Sequence, residues 1–129
     1  MEINQITEQI IGSCIDVHKS LGMGLLESVY EECLFYELSK NTKLFIERQK
    51  PIEVIYKGII MPCAFRADFV IENKVILEIK AVTELHPNHK AQLMNYMKLA
   101  NCRTGLLINL NVELLKKGGT PFVVALNKI

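Results

Sequence analysis

The sequence predicts an α/β domain in which helices flank a mixed β-sheet. Three observations support that class. The chain has 129 residues, a length that fits one domain and can bury one proper core. Its apolar residues recur at helical spacings up to about residue 40 and then switch to alternation. A further helix-length segment then separates two apolar strands, which is enough chain for a crossover between parallel neighbours.

The elements follow in order. Residues 4–21 read as a helix, with Ile6, Ile10, Cys14, Val17 and Leu21 on one stripe, Asn4 as N-cap, and Gly22 and Gly24 as the stop. Residues 25–40 read as a second helix, with Leu26, Val29, Tyr30, Cys33 and Leu38 on its apolar side. Residues 44–50 read as a strand that ends at Pro51. Residues 52–57, 64–71 and 75–82 read as three more strands, with turns at Lys57-Gly58 and Glu72-Asn73-Lys74, so the four form an antiparallel meander. Pro87 suits the first position of a helix over 87–100. Residues 104–110 read as a buried strand, Gly118-Gly119 as a turn and 121–126 as a last strand, while 112–117 is ambiguous. The order is α-α-β-β-β-β-α-β-β, with no repeat and no linker, in a single domain over 1–129.

Composition narrows the class of function. No apolar run reaches the roughly 18–20 residues that span a bilayer. Glu8, Asp16, His18 and Lys19 interrupt the N-terminal segment, which is no signal-peptide core. A cytoplasmic protein without a membrane segment is expected. Cys14, Cys33, Cys63 and Cys102 form no C-x-x-C pair, which argues against a zinc site or a disulfide framework and for buried free thiols in a reducing compartment. The formal net charge of +1 makes no direct case for nucleic acid, so the charges have to be read locally.

The strand over 75–82, V-I-L-E-I-K-A-V, is apolar except for Glu78 and Lys80, and alternation puts both on one face with Ile76 and Val82. Charges in such a setting are costly unless paired or used. A structural Glu–Lys pair on a solvated face is the plain alternative. The letters E-x-K alone prove little, because Glu72-Asn73-Lys74 matches them too and sits in a polar turn. Asp68 interrupts the preceding strand in the same way. A hairpin folded at 72–74 places Asp68 opposite Glu78, and two like charges there call for a cation between them, either Lys80 or a divalent metal. Two carboxylates can hold Mg²⁺ or Mn²⁺, and a nearby ammonium can offset developing charge. That trio suits phosphodiester hydrolysis.

The third helix adds Gln92 and Tyr96, which share a face at i, i+4, with His89 one turn earlier. Each also has an ordinary reading, as helix surface for Gln92 and core edge for Tyr96. His86 and His89 flank Pro87 and read as capping or surface residues. Glu27 opens the second helix, where an acid is first of all a favourable dipole partner.

These residues resemble a known family. Gly24-Leu25-Leu26-Glu27-Ser28-Val29-Tyr30 is similar to the motif that names the GxxExxY proteins. The likeness extends through residues 15–22, Arg66-Ala67-Asp68-Phe69-Val70, Glu78-Ile79-Lys80-Ala81-Val82, residues 91–96 and residues 105–109, so it covers nearly the whole chain. That family is grouped with the PD-(D/E)xK nucleases. The resemblance implies a restriction-endonuclease-like αβββαβ core, a mixed sheet flanked by helices, with an extra N-terminal helix. It implies Asp68 and Glu78 as metal-binding acids, with Glu27 as a further acid and Lys80 as the catalytic lysine. Gln92 and Tyr96 match a Q-x-x-x-Y helix motif of the recombination-exonuclease branch. The residue before Asp68 is Ala67 where the superfamily name has proline, and His18 lies in the matching stretch with its role open.

The expected function is that of a metal-dependent nuclease acting on nucleic acid, with DNA as the favoured substrate. Asp68, Glu78 and Glu27 would hold Mg²⁺ or Mn²⁺, with the Ile79 carbonyl as a further ligand. Lys80, Gln92 and Tyr96 would serve catalysis. Arg66, Lys90 and Lys98 are candidate phosphate contacts, with Arg48, Lys50, Lys57 and Arg103 in a wider dispersed set. The alternative is a non-catalytic module that keeps the nuclease fold and binds nucleic acid or a protein. A third possibility, Cys63 or Cys102 as a nucleophile, has no base evident in the sequence. A homodimer is compatible with a small core whose one site cannot cut two strands at once.

Overall fold

The structure is a computed structural model that describes residues 1–116 and 122–126. Helices α1 (Ile3–Leu21) and α2 (Glu27–Asn41) come first. Strands β1 (Ile46–Tyr56), β2 (Ile59–Ile71) and β3 (Val75–Lys80) follow, then helix α3 (Pro87–Ala100) and strands β4 (Thr104–Asn109) and β5 (Phe122–Leu126). The sheet runs β1-β2-β3-β4-β5, antiparallel except for the parallel pair β3 and β4. From α2 to β4 the order is the αβββαβ expected, with α1 as the extra helix.

Each face of the sheet carries its own core. Phe69, Ile71, Val75, Leu77, Ile79, Leu106 and Ile108 pack with Ile6, Ile10, Cys14, Tyr30, Leu34 and Leu38 of α1 and α2. Ile52, Ala67, Val70, Ile76 and Leu107 pack with Leu93, Tyr96 and Met97 of α3. The β3 strand is buried on both sides, as the crossover geometry requires.

Several boundaries differ from the sequence reading, each for a local reason. The first helix is preceded by Glu2 rather than capped by Asn4, and the Gln5 side chain accepts the Glu2 N–H at 3.1 Å. The second starts at Glu27 instead of 25, so Leu26 lies in the entry loop, 74% exposed, and Val29 is exposed as well. The buried stripe is Tyr30, Leu34 and Leu38, a spacing of one turn. The two strands expected on either side of Pro51 are one strand, β1. Proline is tolerated there because β1 is an edge of the sheet, where an N–H has no required partner. The meander therefore has three strands, and its first two form one long ribbon closed by Lys57 and Gly58, both at positive φ.

The fourth expected strand stops at Lys80, short of Val82. The Asn109 side chain accepts the Val82 N–H at 3.1 Å and donates to the Val82 carbonyl at 2.9 Å, and so takes the place of a ladder. Helix α3 has the expected Pro87 start, with His86 and His89 in a capping arrangement. The last strand begins at Phe122, and the Gly118-Gly119 turn lies outside the described residues. All four cysteines are free; Cys14 and Cys102 are buried and Cys33 is half-buried, but Cys63 is exposed on the ribbon. Among the described residues no helix is long and apolar enough to cross a membrane.

Candidate active site

The β2–β3 ladder pairs Phe69 with Leu77, Val70 with Ile76 and Ile71 with Val75, and it stops there. The tight turn that sets this register has Glu72 and Asn73 both at positive φ, and the Lys74 N–H donates to the Ile71 carbonyl at 3.0 Å. One step beyond the last pair are Asp68 and Glu78. Instead of a backbone ladder there, the Asp68 Oδ2 accepts the Ile79 N–H at 2.9 Å. The site therefore sits where the two strands cease to pair, and an acidic side chain satisfies the freed backbone donor.

The pleat also changes phase at this point. Ala67 and Val70 both pack against α3, although strict alternation would set them on opposite faces. Opposite Asp68, Gln49 of β1 adopts φ 50, and the β1–β2 pairing passes from Arg48↔Phe69 to Lys50↔Ala67 without including Gln49 or Asp68. Such irregularities re-aim side chains beside functional sites. Here the left-handed turn brings the Gln49 Nε2 to 3.5 Å from Asp68 Oδ1 and also into hydrogen-bonding contact with Glu31 of α2. Arg48 holds Glu31 at 2.8 Å and Glu32 at 2.7 Å. A polar chain thus links α2 through β1 to Asp68. Gln49 and Glu31 escaped the sequence reading. The only signal was the polar run at residues 47–50, which alternation treats as a solvated edge.

Glu78 is 6% exposed, and its Oε1 is buried with no hydrogen-bond partner among the described residues. Burial pushes its carboxyl up to about 9, the Asp68 charge pushes the same way, and Lys80 only partly offsets them. Among the described residues Lys80 has no ion-pair partner, so the plain Glu78–Lys80 salt bridge is not formed. Tyr96 of α3 closes this face of the sheet, 7% exposed, with its ring 5.0 Å from that of Phe65. Burial first, then the charges of Glu78 and Asp68, push the Tyr96 hydroxyl above its ordinary range and so favour its protonated form.

The other expected residues are less concentrated. Glu27 is the first residue of α2 and is exposed. Among the described residues no three His, Cys, Asp or Glu side chains form a metal-sized cluster, so Glu27 does not complete one with Asp68 and Glu78. Gln92 lies on α3 one turn before Tyr96 and is exposed, as are Lys90, Lys98 and Arg66. Arg48 and Lys50 are engaged in ion pairs, Lys50 with Glu47 at 2.9 Å. His18 is buried, and its Nε2 donates to the Val112 carbonyl at 2.7 Å, a tether between α1 and the segment after β4. Cys102 is buried and its thiol is pushed up by that burial, away from the thiolate that a nucleophile needs.

Among the described residues Asp68 has partners in the Ile79 N–H and Gln49, whereas one oxygen of Glu78 has none. An unsatisfied carboxylate oxygen in a buried position is expensive, and a divalent cation is the partner that fits such donors. Asp68 and Glu78 are therefore suited to hold Mg²⁺ or Mn²⁺, which would polarise a phosphoryl oxygen and acidify a bound water.

A family model described as the PD-(D/E)XK nuclease superfamily matches residues 4–120. No curated protein and no solved structure gives a significant match to the chain.

Proposed function

The chain belongs to the PD-(D/E)XK nuclease superfamily, and on that footing we propose that it is a metal-dependent nuclease that hydrolyses phosphodiester bonds in nucleic acid, with DNA as the preferred substrate. The observation that carries the reading is the buried Glu78 beside Asp68, with an oxygen that no group among the described residues satisfies. A purely structural sheet would gain by replacing such a pair with apolar residues. Asp68 and Glu78 bind Mg²⁺ or Mn²⁺, with the Ile79 carbonyl as a further ligand. Lys80 offsets charge that develops on the phosphoryl group. Tyr96 donates towards the acids, and Gln92, a turn away on the open side of the same helix, contacts phosphate. Arg66, Lys90 and Lys98 are exposed and available to the backbone of the substrate.

The motif at residues 24–30 supports placing the chain with the GxxExxY proteins. Two of its three letters have structural tasks. Gly24 takes φ 93, and the buried Tyr30 donates its hydroxyl to the Gly22 carbonyl at 2.6 Å. Glu27 has no such task. It lies one turn before Glu31, which Gln49 links to Asp68. We therefore assign Glu27 to the metal site, reached when substrate and metal are bound. The cytoplasmic location and a homodimer belong to the same proposal, the first supported by the four free thiols.

The second reading, a non-catalytic binding module, is favoured by one observation: the acids form a pair, not a cluster of three. One assay decides between them. Single- and double-stranded DNA and RNA are incubated with the protein and Mg²⁺ or Mn²⁺, alongside Lys80→Ala. Metal-dependent cleavage that falls 100-fold or more in Lys80→Ala, with an unchanged melting temperature, is the expected result. No cleavage of any substrate, or equal cleavage by the variant, leaves the binding module standing.

A further inference from the structure

The β1–β2 ribbon is much longer than the sheet it belongs to. Strand β2 pairs with β3 only at residues 69–71, and from Ile59 to Arg66 every residue except Met61 is exposed. At about 3.3 Å per residue, the tip lies roughly 30 Å from Asp68 along the strand. That tip is apolar on both sides. Ile55 pairs with Ile60 and Tyr56 with Ile59, so each face carries one pair, and the four side chains are 59%, 63%, 57% and 64% exposed. Large apolar groups at this exposure are a liability unless something covers them.

We propose that the outer half of this ribbon is a nucleic-acid wedge: Ile55, Tyr56, Ile59 and Ile60 enter the base stack about one helical turn from the phosphodiester held at Asp68. Two features favour nucleic acid over a second copy of the chain. A two-fold partner seated on the ribbon would cover one face, and a stable protein interface needs about 800 Å² per partner. Two side chains per face fall short of that. A base stack accepts apolar side chains from both faces at once, as intercalating wedges do. The charges agree: residues 51–66 hold one acid, Glu53, against Lys57 and Arg66. Lys57 is at the apex, its Nζ 5.3 Å from the Tyr56 ring, where phosphates would flank an inserted side chain.

The consequence is structural selectivity. Wedging is cheapest where the stack is already open, so the protein should prefer nucleic acid with a bubble, junction or end about ten base pairs from the cut. The inference rests on the nuclease reading for the substrate class, but it is tested by binding alone.

The test compares the wild-type chain with Ile59→Thr/Ile60→Thr, a change on exposed positions that keeps β-branched side chains and hence strand preference. Fluorescence anisotropy is measured in Ca²⁺ on a 30-base-pair duplex and on the same duplex with a central bubble, and 2-aminopurine placed in the bubble reports unstacking. The expected result is tighter binding to the bubble by wild type with a rise in 2-aminopurine emission, and at least tenfold weaker bubble binding by the variant with the rise lost. Equal binding by the two proteins overturns the wedge while leaving the nuclease reading intact. A wild-type dimer that the variant splits in sedimentation, with DNA affinity unchanged, assigns the tip to a second copy and also overturns it. Absence of any nucleic-acid binding by wild type defeats both ideas. Bubble-selective binding without cleavage in Mg²⁺ or Mn²⁺ keeps the wedge and removes hydrolysis.

Discussion

Glu78 holds a proton that the unfolded chain would release. Its carboxyl moves from the ordinary 4.5 to about 9 in the folded protein, because burial and Asp68 both disfavour the charge. The folded state therefore binds more protons than the unfolded state between those values, and metal-free stability falls as pH rises through that window. Below about 4.5 the contribution is fully present; above about 9 it is gone. Glu78→Gln imitates the protonated form at every pH. It should raise metal-free stability at pH 8 by about 1–3 kcal/mol and flatten the decline, in urea titrations at a series of pH values. A variant less stable than wild type at pH 8 would mean that the carboxylate is satisfied by a partner and that the site is structural. The sequence disclosed Glu78 and Asp68 because charges stand out in an apolar strand. It did not disclose Gln49, because a left-handed φ at a non-glycine leaves no mark on an alternating pattern.

At the level of elements, helix α3 packs Tyr96 on the face of the sheet that carries Glu78, and a glycine of β4 sets how closely helix and sheet approach. A Cβ added at Gly105 would lie 2.6 Å from Met97 Sδ and 2.9 Å from Leu93 Cδ1. Both obstacles are side-chain ends on α3, so admitting the methyl requires Leu93 and Met97 to repack or the helix to shift from the sheet. Gly105→Ala should cost about 1–3 kcal/mol, and it should weaken any cleavage activity more than other changes of equal destabilisation where the repacking displaces α3 and Tyr96 with it. Unaltered melting and activity would show that α3 is not held by this contact. The loop before α2 has a comparable pin. Tyr30→Phe removes the hydroxyl that reaches the Gly22 carbonyl and should cost about 1–2 kcal/mol by thermal denaturation. Helix α3 was legible from Pro87 and its periodicity, and β4 from its apolar run. Strand β1 was not, because Pro51 signals a break everywhere except on a sheet edge, and edge position is a property of the whole sheet. The end of β3 was equally hidden, since the Asn109 side chain that replaces its ladder comes from another strand.

At the scale of the molecule, the fold brings two acids to the point where its central antiparallel pair comes apart, and among the described residues no cation forms an ion pair with either of them. The order of elements was readable because it follows from local periods and turn chemistry. The two-core, three-layer packing was readable only in outline, because it depends on which faces of β2 stay in phase past Asp68. Under the proposed metal site, a divalent ion should raise global stability, since it would bind the folded pair and have no comparable site in the unfolded chain. At a metal concentration 100 times its dissociation constant the folded state gains about 2.7 kcal/mol. For a domain of this size that corresponds to a rise in melting temperature of roughly 10 °C. Binding must displace the Glu78 proton, so the rise should be large at pH 8 and smaller at pH 6. Differential scanning calorimetry with Mn²⁺ at the two pH values measures both effects. Asp68→Ala should lose the response at either pH, because it removes one of the two acids proposed to hold the ion. A Mn²⁺ response that is independent of pH, or one that survives Asp68→Ala, would place the ion elsewhere and remove the physical basis for a catalytic site at the end of β3.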